Sequence, residues 1–337
     1  MIYIFYKKGV PQKGTPFLFF TKVHKMKEEN YISDTLASSN HQIVKSSNRI
    51  AIQGVRGAFH EIATRCYFGY NEDLEIVEAE TFEDLIAMTE EGKSVDGALM
   101  AIENTIAGSI MNNYNLLDNS DLRIKGEVYL RIIQNLIVTP GVAIEDLTEV
   151  YSHPVALAQC VHFFKKYPHI KLIEATDTAL SVKMIKEKGM THAGAIASSL
   201  AAEMYEMEIL QASIEDYKQN YTRFLYLVKS EFAEEINSLS SFPFGEGWDG
   251  AKCSMVFTLK HEVGSLHTVL AALAMFGANL TAIQSMPVLD EPWHYRFFVG
   301  FTFKNYRSYE LIMEALEDLT EDIKVLGTYR VGKYHKE

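Results

Sequence analysis

Arg49-Ile50-Ala51-Ile52-Gln53-Gly54-Val55-Arg56-Gly57-Ala58 opens the folded part of this 337-residue chain. Ile50 to Gln53 reads as a short apolar strand, Gly54 to Gly57 as a tight turn, and Ala58 to Phe68 as a helix. A strand, a glycine-bearing turn and a helix in succession present free backbone N–H groups to an anion. Only two glycines are present, so the three-glycine dinucleotide fingerprint is incomplete and a nicotinamide cofactor is disfavoured. A plain βα turn explains the same residues equally well.

Working outward, the strand–helix alternation continues. Thr81 to Glu91 predicts a helix with Thr81 as N-cap and Asp84 three residues on. Gly97 to Ile102 predicts a buried strand ending in Glu103-Asn104-Thr105, ahead of a helix over Ile110–Leu117. Ligands of open α/β sheets sit at the carboxyl ends of strands, which makes these three residues candidates for a pocket. Capping of the next helix would also account for Asn104 and Thr105. Leu130 to Val138 predicts one further strand. Ser152-His153-Pro154 predicts a helix start, with Ser152 as cap and Pro154 in the first turn of a helix that carries Gln159 and runs to about Lys166. A Ser and a His adjacent in sequence do not face each other as a catalytic triad requires.

Strands at Lys171–Glu174 and Gly194–Ile196 and helices at Asp177–Lys188 and Ser198–Tyr205 lead to Asn220-Tyr221-Thr222-Arg223-Phe224 and the apolar run Leu225 to Val228. A hydroxyl and a guanidinium thus stand at the mouth of a buried strand. The first donates one directed hydrogen bond, and the second clamps a carboxylate in a fork. Taken alone, Thr222 and Arg223 also read as the ordinary start of a strand. The alternation over 49–228 argues for α/β architecture with mainly parallel pairing. Two entrances, near Gly54 and Ser152, suggest two lobes around a shared cleft.

Residues 231–250 turn acidic, then Ser-rich, then Phe-Pro-Phe-Gly, the composition of a linker. Beyond it come a strand over Cys253–Lys260, a helix over Ser265–Phe276, and hairpin strands Leu280–Met286 and Trp293–Phe301 around Asp290-Glu291-Pro292. A helix over Tyr309–Leu319 and a strand over Val325–Val331 complete a βαββαβ, ferredoxin-like order. Helices on one face leave the other face and the edges open to self-pairing, so a homodimer or homotetramer is expected. Residues 1–48 hold six lysines before the first acid, Glu28, and one short apolar run, Phe17 to Phe20. That run is too short for a membrane span and lacks the form of a secretory signal. The segment reads as a poorly ordered leader, with Met26 as an alternative start.

The 47% apolar and 23% charged residues are those of a globular protein. A net charge of −12 disfavours nucleic acid or an anionic membrane as partner. Cys66, Cys160 and Cys253 are far apart, which suggests neither a disulfide framework nor a zinc site and fits a reducing, cytoplasmic setting. His60-Glu61 and His261-Glu262 each lack the second histidine of a zinc motif, so no metal is expected.

The ordered set of motifs resembles the bacterial prephenate dehydratases that carry a C-terminal ACT-type regulatory domain. The resemblance rests on Gly54 to Gly57 with Ala58-Phe59, on Ile102 to Thr105, on Ser152 to Pro154 with Gln159-Cys160, and on Asn220 to Phe224, and it covers roughly 49–335. The chain departs from the pattern at His60, where Ser is usual. It departs also at Gly264-Ser265-Leu266 (usually Gly-Ala-Leu) and at Gln284-Ser285-Met286-Pro287 (usually Glu-Ser-Arg-Pro).

The resemblance implies an α/β fold: a two-lobed, periplasmic-binding-protein-like domain over 49–230 and a ferredoxin-like ACT domain over 251–335. It implies decarboxylating dehydration of prephenate to phenylpyruvate without cofactor or metal, regulated by L-phenylalanine. Thr222 would donate to the leaving hydroxyl, with Arg223 and Glu103 as further catalytic groups. Ala58, Asn104, Thr105, Ser152, Gln159, Asn220 and Phe224 would contact substrate. Gly264, Ser265, Leu266, Asn279, Leu280, Gln284 and Ser285 would contact the effector. The alternatives are an arogenate dehydratase and a non-catalytic sensor of aromatic metabolites.

Overall fold

The computed structural model describes residues 48–70, 73–232, 250–288 and 294–336. The expected leader lies outside these residues except for Asn48, as do most of the linker and the Asp290-Glu291-Pro292 turn.

The first lobe comprises β1 (Asn48–Gln53), α1 (Phe59–Phe68), β2 (Leu74–Ala79), α2 (Phe82–Glu91), β3 (Gly97–Asn104), β4 (Gly108–Ser109), α3 (Met111–Asp118) and β5 (Leu122–Arg131). The chain then builds a second lobe from β6 (Asn135–Val138), β7 (Glu149–Ser152), α4 (Pro154–Ala158), α5 (Val161–Phe164), β8 (Lys171–Glu174), α6 (Thr178–Lys188), β9 (Ala193–Ala197), α7 (Ser199–Met204) and β10 (Glu208–Gln211). It returns as β11 (Tyr221–Lys229) to the middle of the first sheet, whose order is β16-β5-β11-β3-β1-β2 with β4 on β3, β16 being the C-terminal Tyr334–His335. The second sheet runs β10-β6-β9-β7-β8.

The expectation of mainly parallel pairing needs correction. β1 is parallel to β2 and β3, and β7 to β8 and β9, but β11 is antiparallel to both β3 and β5. The reason is the second crossing: β11 re-enters from the far lobe and therefore runs against its neighbours. The single strand expected over Leu130–Val138 is two strands, because the chain leaves the first lobe between Arg131 and Asn135. The outgoing and returning segments bond to each other there, Ile132 N–H to the Asn220 carbonyl at 2.8 Å and Ile214 N–H to the Gln134 carbonyl at 2.7 Å. The helix expected from Pro154 to Lys166 also breaks in two, with Gln159 as the C-cap of α4.

Alternation along β11 gives the first sheet two cores. Phe224, Tyr226 and Val228 pack with Leu99, Ala101 and Val128 under Ile62 and Ala63 of α1. Leu225 and Leu227 face the opposite way, onto Leu85 of α2 and Tyr114 and Leu117 of α3. Each fully buried aliphatic or aromatic side chain contributes about 1.5–3 kcal/mol, so both layers hold this strand.

The C-terminal part comprises β12 (Ala251–Thr258), α8 (Ser265–Met275), β13 (Asn279–Pro287), β14 (Tyr295–Phe303), α9 (Tyr306–Glu317) and β15 (Asp322–Arg330), with β16 (Tyr334–His335) joining the first sheet. Its antiparallel order β13-β14-β12-β15 is the ferredoxin-like arrangement expected. Its helix-free face, expected to be open, is covered instead by its own chain. Val256, Met286, Phe298, Leu326 and Tyr329 join the Leu225–Tyr114 core of the first lobe. The approach is close enough that a Cβ on Gly327 of β15 would meet the Ile124 carbonyl of β5. Among the described residues no helix is long and apolar enough to cross a membrane.

Candidate active site

The site begins with an irregularity in β3. Asn104 pairs with Thr222 and Glu103 with Arg223, but Phe224 pairs with Ala101, so Ile102 is an extra residue on β3. A bulge of this kind re-aims the side chains beyond it. Ile102 stays in the core on the Leu225 face, Glu103 follows Arg223 onto that same face, and Asn104 is returned to the face of Thr222. Next to the bulge, the Ala101 N–H donates to His60 Nε2 of α1 at 3.4 Å, and Asn113 of α3 donates to the Ala101 carbonyl at 2.7 Å. His60 lies edge-on to Phe224, ring centroids 5.0 Å apart, and burial lowers its pKa to about 4, so it is a neutral acceptor.

Asn104 is oriented by its own loop. Its Oδ1 accepts from the Ile106 and Ala107 amides at 3.0 and 2.8 Å, which leaves Nδ2 as the donor end. Nδ2 donates to Thr222 Oγ1 at 3.0 Å and to Asn220 Oδ1 at 2.8 Å. Asn220 in turn donates to Gln159 Oε1 at 2.9 Å. A chain of buried amides therefore runs from Thr222 on the first lobe to Gln159 on the second. Since Thr222 Oγ1 accepts from Asn104, its own proton is directed elsewhere.

The other expected site residues fall in several places. Arg223 does not share the Thr222 face, so its expected role as a carboxylate clamp beside Thr222 is corrected. Consecutive strand residues point to opposite faces, and its guanidinium is buried against Glu127 Oε2 (Nε, 2.7 Å) and the Tyr329 hydroxyl (Nη2, 2.9 Å). Glu103 lies beside it, 4.0 Å from Nη1 and half exposed. Ser152 is not the cap expected: its Oγ donates to the Ile196 carbonyl at 2.6 Å, and His153 caps α4 through Nδ1. Thr105 ties its loop to the segment before β11, donating to the Gln219 carbonyl and accepting from the Tyr221 amide. Phe224 is a core residue.

Ala58 is the N-cap of α1 and makes no side-chain cap bond. The amide of Gly57 beside it is taken by Glu61 at 2.8 Å, which leaves the Phe59 and His60 amides as the donors of this helix start. Glu61 is itself held by Arg56 and Arg65, and these charges outweigh burial to keep its carboxyl below the ordinary range. The second lobe closes on the same turn: Ser198 Oγ donates to the Gly57 carbonyl at 2.6 Å, and Gly57 has φ +87°.

A family model described as prephenate dehydratase matches residues 50–231. The chain belongs to the prephenate dehydratase family. An Arabidopsis thaliana arogenate dehydratase/prephenate dehydratase 2 is 35% identical over 327 residues, covering 92% of this chain and 81% of that protein. Among solved structures, a prephenate dehydratase from Arthrobacter aurescens, in complex with L-Phe, aligns with a TM-score of 0.73 at 22% identity, covering 84% of this chain and 90% of that one. GqqA, described as a quorum-quenching acylase, also aligns with a TM-score of 0.73, at 27% identity, covering 85% and 98%.

In this member of the prephenate dehydratase family, sequence reasoning overlooked His60, Asn113, Glu127, Lys252 and Tyr329 as parts of the site's support. The one local signal was Lys252, the single charge in the largely apolar β12, whereas Glu127 shares β5 with Arg123, Lys125 and Arg131 and does not stand out.

Proposed function

We propose that the protein is a prephenate dehydratase, a hydro-lyase that converts prephenate to phenylpyruvate, water and CO2. The observation that carries this is the hydrogen bond from Asn104 Nδ2 to Thr222 Oγ1 at 3.0 Å. With Oγ1 accepting from Asn104, the hydroxyl keeps its own proton to donate to a substrate oxygen. In prephenate that oxygen is the ring hydroxyl. Its C–O bond breaks as the bond to the ring carboxylate breaks, the electron pair of the latter enters the ring, and aromatisation drives both. The departing hydroxide takes up one proton overall and leaves as water. A threonine hydroxyl is a weak acid, so Thr222 acts as a hydrogen-bond donor to developing negative charge. The Phe59 and His60 amides at the start of α1 suit a substrate carboxylate, and the Asn104–Asn220–Gln159 chain holds the donor in place. Phenylpyruvate formation from prephenate, read by absorbance in alkali, tests the reading; a folded wild type that releases none removes it.

The same cleft suits the aminated analogue, arogenate. Asp177 of the second lobe lies against Gly54, close enough that a Cβ there would stand 2.7 Å from its Oδ2, and a carboxylate at that position would pair with an ammonium group. Competing the two substrates decides between them. An acylase reading lacks support: Thr222 Oγ1 is bonded to an amide donor rather than a base, and Ser152 Oγ is committed to a carbonyl.

We also infer that the βαββαβ part is an ACT-type regulatory domain taking L-phenylalanine. Gly264, with φ +87°, begins α8 without a side-chain cap, while Ser265 Oγ bonds the Lys260 and Glu262 carbonyls. Leu266 packs on the domain core, Asn279 and Leu280 start an exposed β13, and Gln284 and Ser285 lie further along it. Met286, where the family pattern has Arg, is buried against the first lobe. Exposed Val263, Met275, Leu280 and Ile283 suit pairing with a second copy, as a dimer or tetramer. A cytoplasmic setting fits three free thiols.

A further inference from the structure

Behind the Thr222 face lies a buried ion cluster that belongs to two parts of the chain. From the first sheet come Arg223 of β11 and Glu127 and Tyr129 of β5. From the C-terminal sheet come Lys252 and Ser254 of β12 and Tyr329 of β15. Lys252 Nζ donates to both Glu127 oxygens, at 3.0 and 3.2 Å, and to the Tyr129 hydroxyl at 3.1 Å. Glu127 also receives Arg223 Nε at 2.7 Å and the Gly332 amide at 3.1 Å. Arg223 Nη2 donates to the Tyr329 hydroxyl, which also shares a hydrogen bond with Ser254 Oγ, 2.6 Å away. Arg223, Glu127, Lys252 and Tyr329 are all buried.

Two cations against one carboxylate is a costly way to join two sheets. Apolar residues of similar volume in such a place are often neutral or stabilising, whereas an ion cluster specifies one geometry. Arg223 is also the residue directly after Thr222. With Glu127 fixed on the neighbouring strand, the cluster leaves β11 one placement at the point where the site needs it.

We propose that Lys252 and Tyr329, although they lie on the C-terminal domain, are positioning residues for the dehydratase reaction: they hold Glu127 and Arg223, and through Arg223 they set where Thr222 stands. This rests on the reading of Thr222 as the donor to the departing hydroxyl. It makes catalysis depend on the seating of the C-terminal domain, and so supplies a physical coupling between that domain and the cleft.

Lys252 faces Arg223, Glu127, Glu103, Tyr129 and Tyr329. Burial, then the Arg223 charge, bring its pKa down to about 8 against the pull of Glu127. The wild-type kcat is therefore expected to fall as pH rises through about 8, as Lys252 loses its proton.

The test is steady-state turnover of prephenate by the full chain from pH 6 to 10, for wild type, Lys252→Met, Lys252→Arg and Tyr329→Phe, with thermal unfolding of each. Removing the Tyr329 hydroxyl, and with it its hydrogen bonds to Arg223 and Ser254, is expected to lower kcat about 10-fold with KM nearly unchanged in Tyr329→Phe. Lys252→Met is expected to lose at least as much and to lose the fall near pH 8, and Lys252→Arg to recover part of the rate. Variants that fold and turn over like wild type at every pH overturn the proposal. Should Lys252→Met not fold, Tyr329→Phe decides, since it keeps the ring and its packing. A wild type inactive on both prephenate and arogenate removes the underlying reading, and the proposal with it.

Discussion

Asn104 Nδ2 lies 3.0 Å from Thr222 Oγ1 and can only donate, because its Oδ1 is held by the Ile106 and Ala107 amides. The threonine hydroxyl thereby keeps its own proton free to donate elsewhere than to Asn104. Thr222→Ala is expected to lower kcat by about 10²-fold or more, the usual range for a positioned proton-handling group, and to leave the fold intact. Thr222→Ser keeps the hydroxyl and is expected to retain most of the rate. Equal losses in the two variants would mean that the methyl group, not the hydroxyl, matters.

Gln159 is the far end of the same chain, accepting from Asn220 at 2.9 Å in a buried setting. Gln159→Leu leaves the Asn220 amide without its acceptor and is expected to destabilise the protein by about 1–3 kcal/mol, the cost of one buried unsatisfied polar group. Denaturant titration reads this directly; an unchanged midpoint would show that water replaces the glutamine.

His60 titrates with a depressed pKa, about 4 in the folded chain against an ordinary 6.5, because burial disfavours the imidazolium. Between those values the unfolded chain binds the extra proton, so the contribution is present above pH 6.5 and is lost as pH falls toward 4. The protein is expected to lose stability over that window more steeply than a His60→Gln variant. Parallel acid unfolding curves for the two would contradict the assignment of His60 as the acceptor that pins the β3 bulge.

Gly327 has no room for a side chain against Ile124. Gly327→Val is expected to cost about 1–3 kcal/mol through overpacking, and to lower dehydratase activity by lifting the C-terminal sheet from β5. Wild-type thermal stability in this variant would show that the two sheets separate freely.

Phenylalanine is expected to bind the C-terminal domain with heat detectable by titration calorimetry at millimolar ligand and to lower turnover of prephenate. Gly264→Val, which forces a β-branched residue to φ +87°, is expected to weaken that binding and to leave uninhibited turnover in place. No heat at millimolar phenylalanine with the wild type would remove the effector assignment.

Much of this molecule was legible in its residues because it is local. Apolar runs bounded by glycine, Thr81 as a cap and the βαββαβ order each depend on neighbours within a dozen positions, and each is present in the structure. The three motifs containing Asn104, Gln159, and Asn220 with Thr222 were likewise visible, and those four residues do form one hydrogen-bonded chain. What the sequence could not place was direction. Thr222 and Arg223 look like partners when read as adjacent letters, yet a strand sends them to opposite faces. The extra residue Ile102 then decides which of Glu103 and Asn104 joins which. The seating of the C-terminal sheet was equally hidden, because Lys252 meets Glu127 from 125 positions away.

The sequence by itself determined most of the elements, though not the breaks near Ile132 and Gln159, together with the family and the chemical groups on offer, since these follow from local propensity and from motifs of a few residues. Only the tertiary structure decided that Thr222 Oγ1 accepts from Asn104 and that Arg223 is buried on the opposite face against Glu127 and Tyr329. Side-chain direction in a sheet is set by pairing register, and register is a property of strands that meet only after the chain has folded.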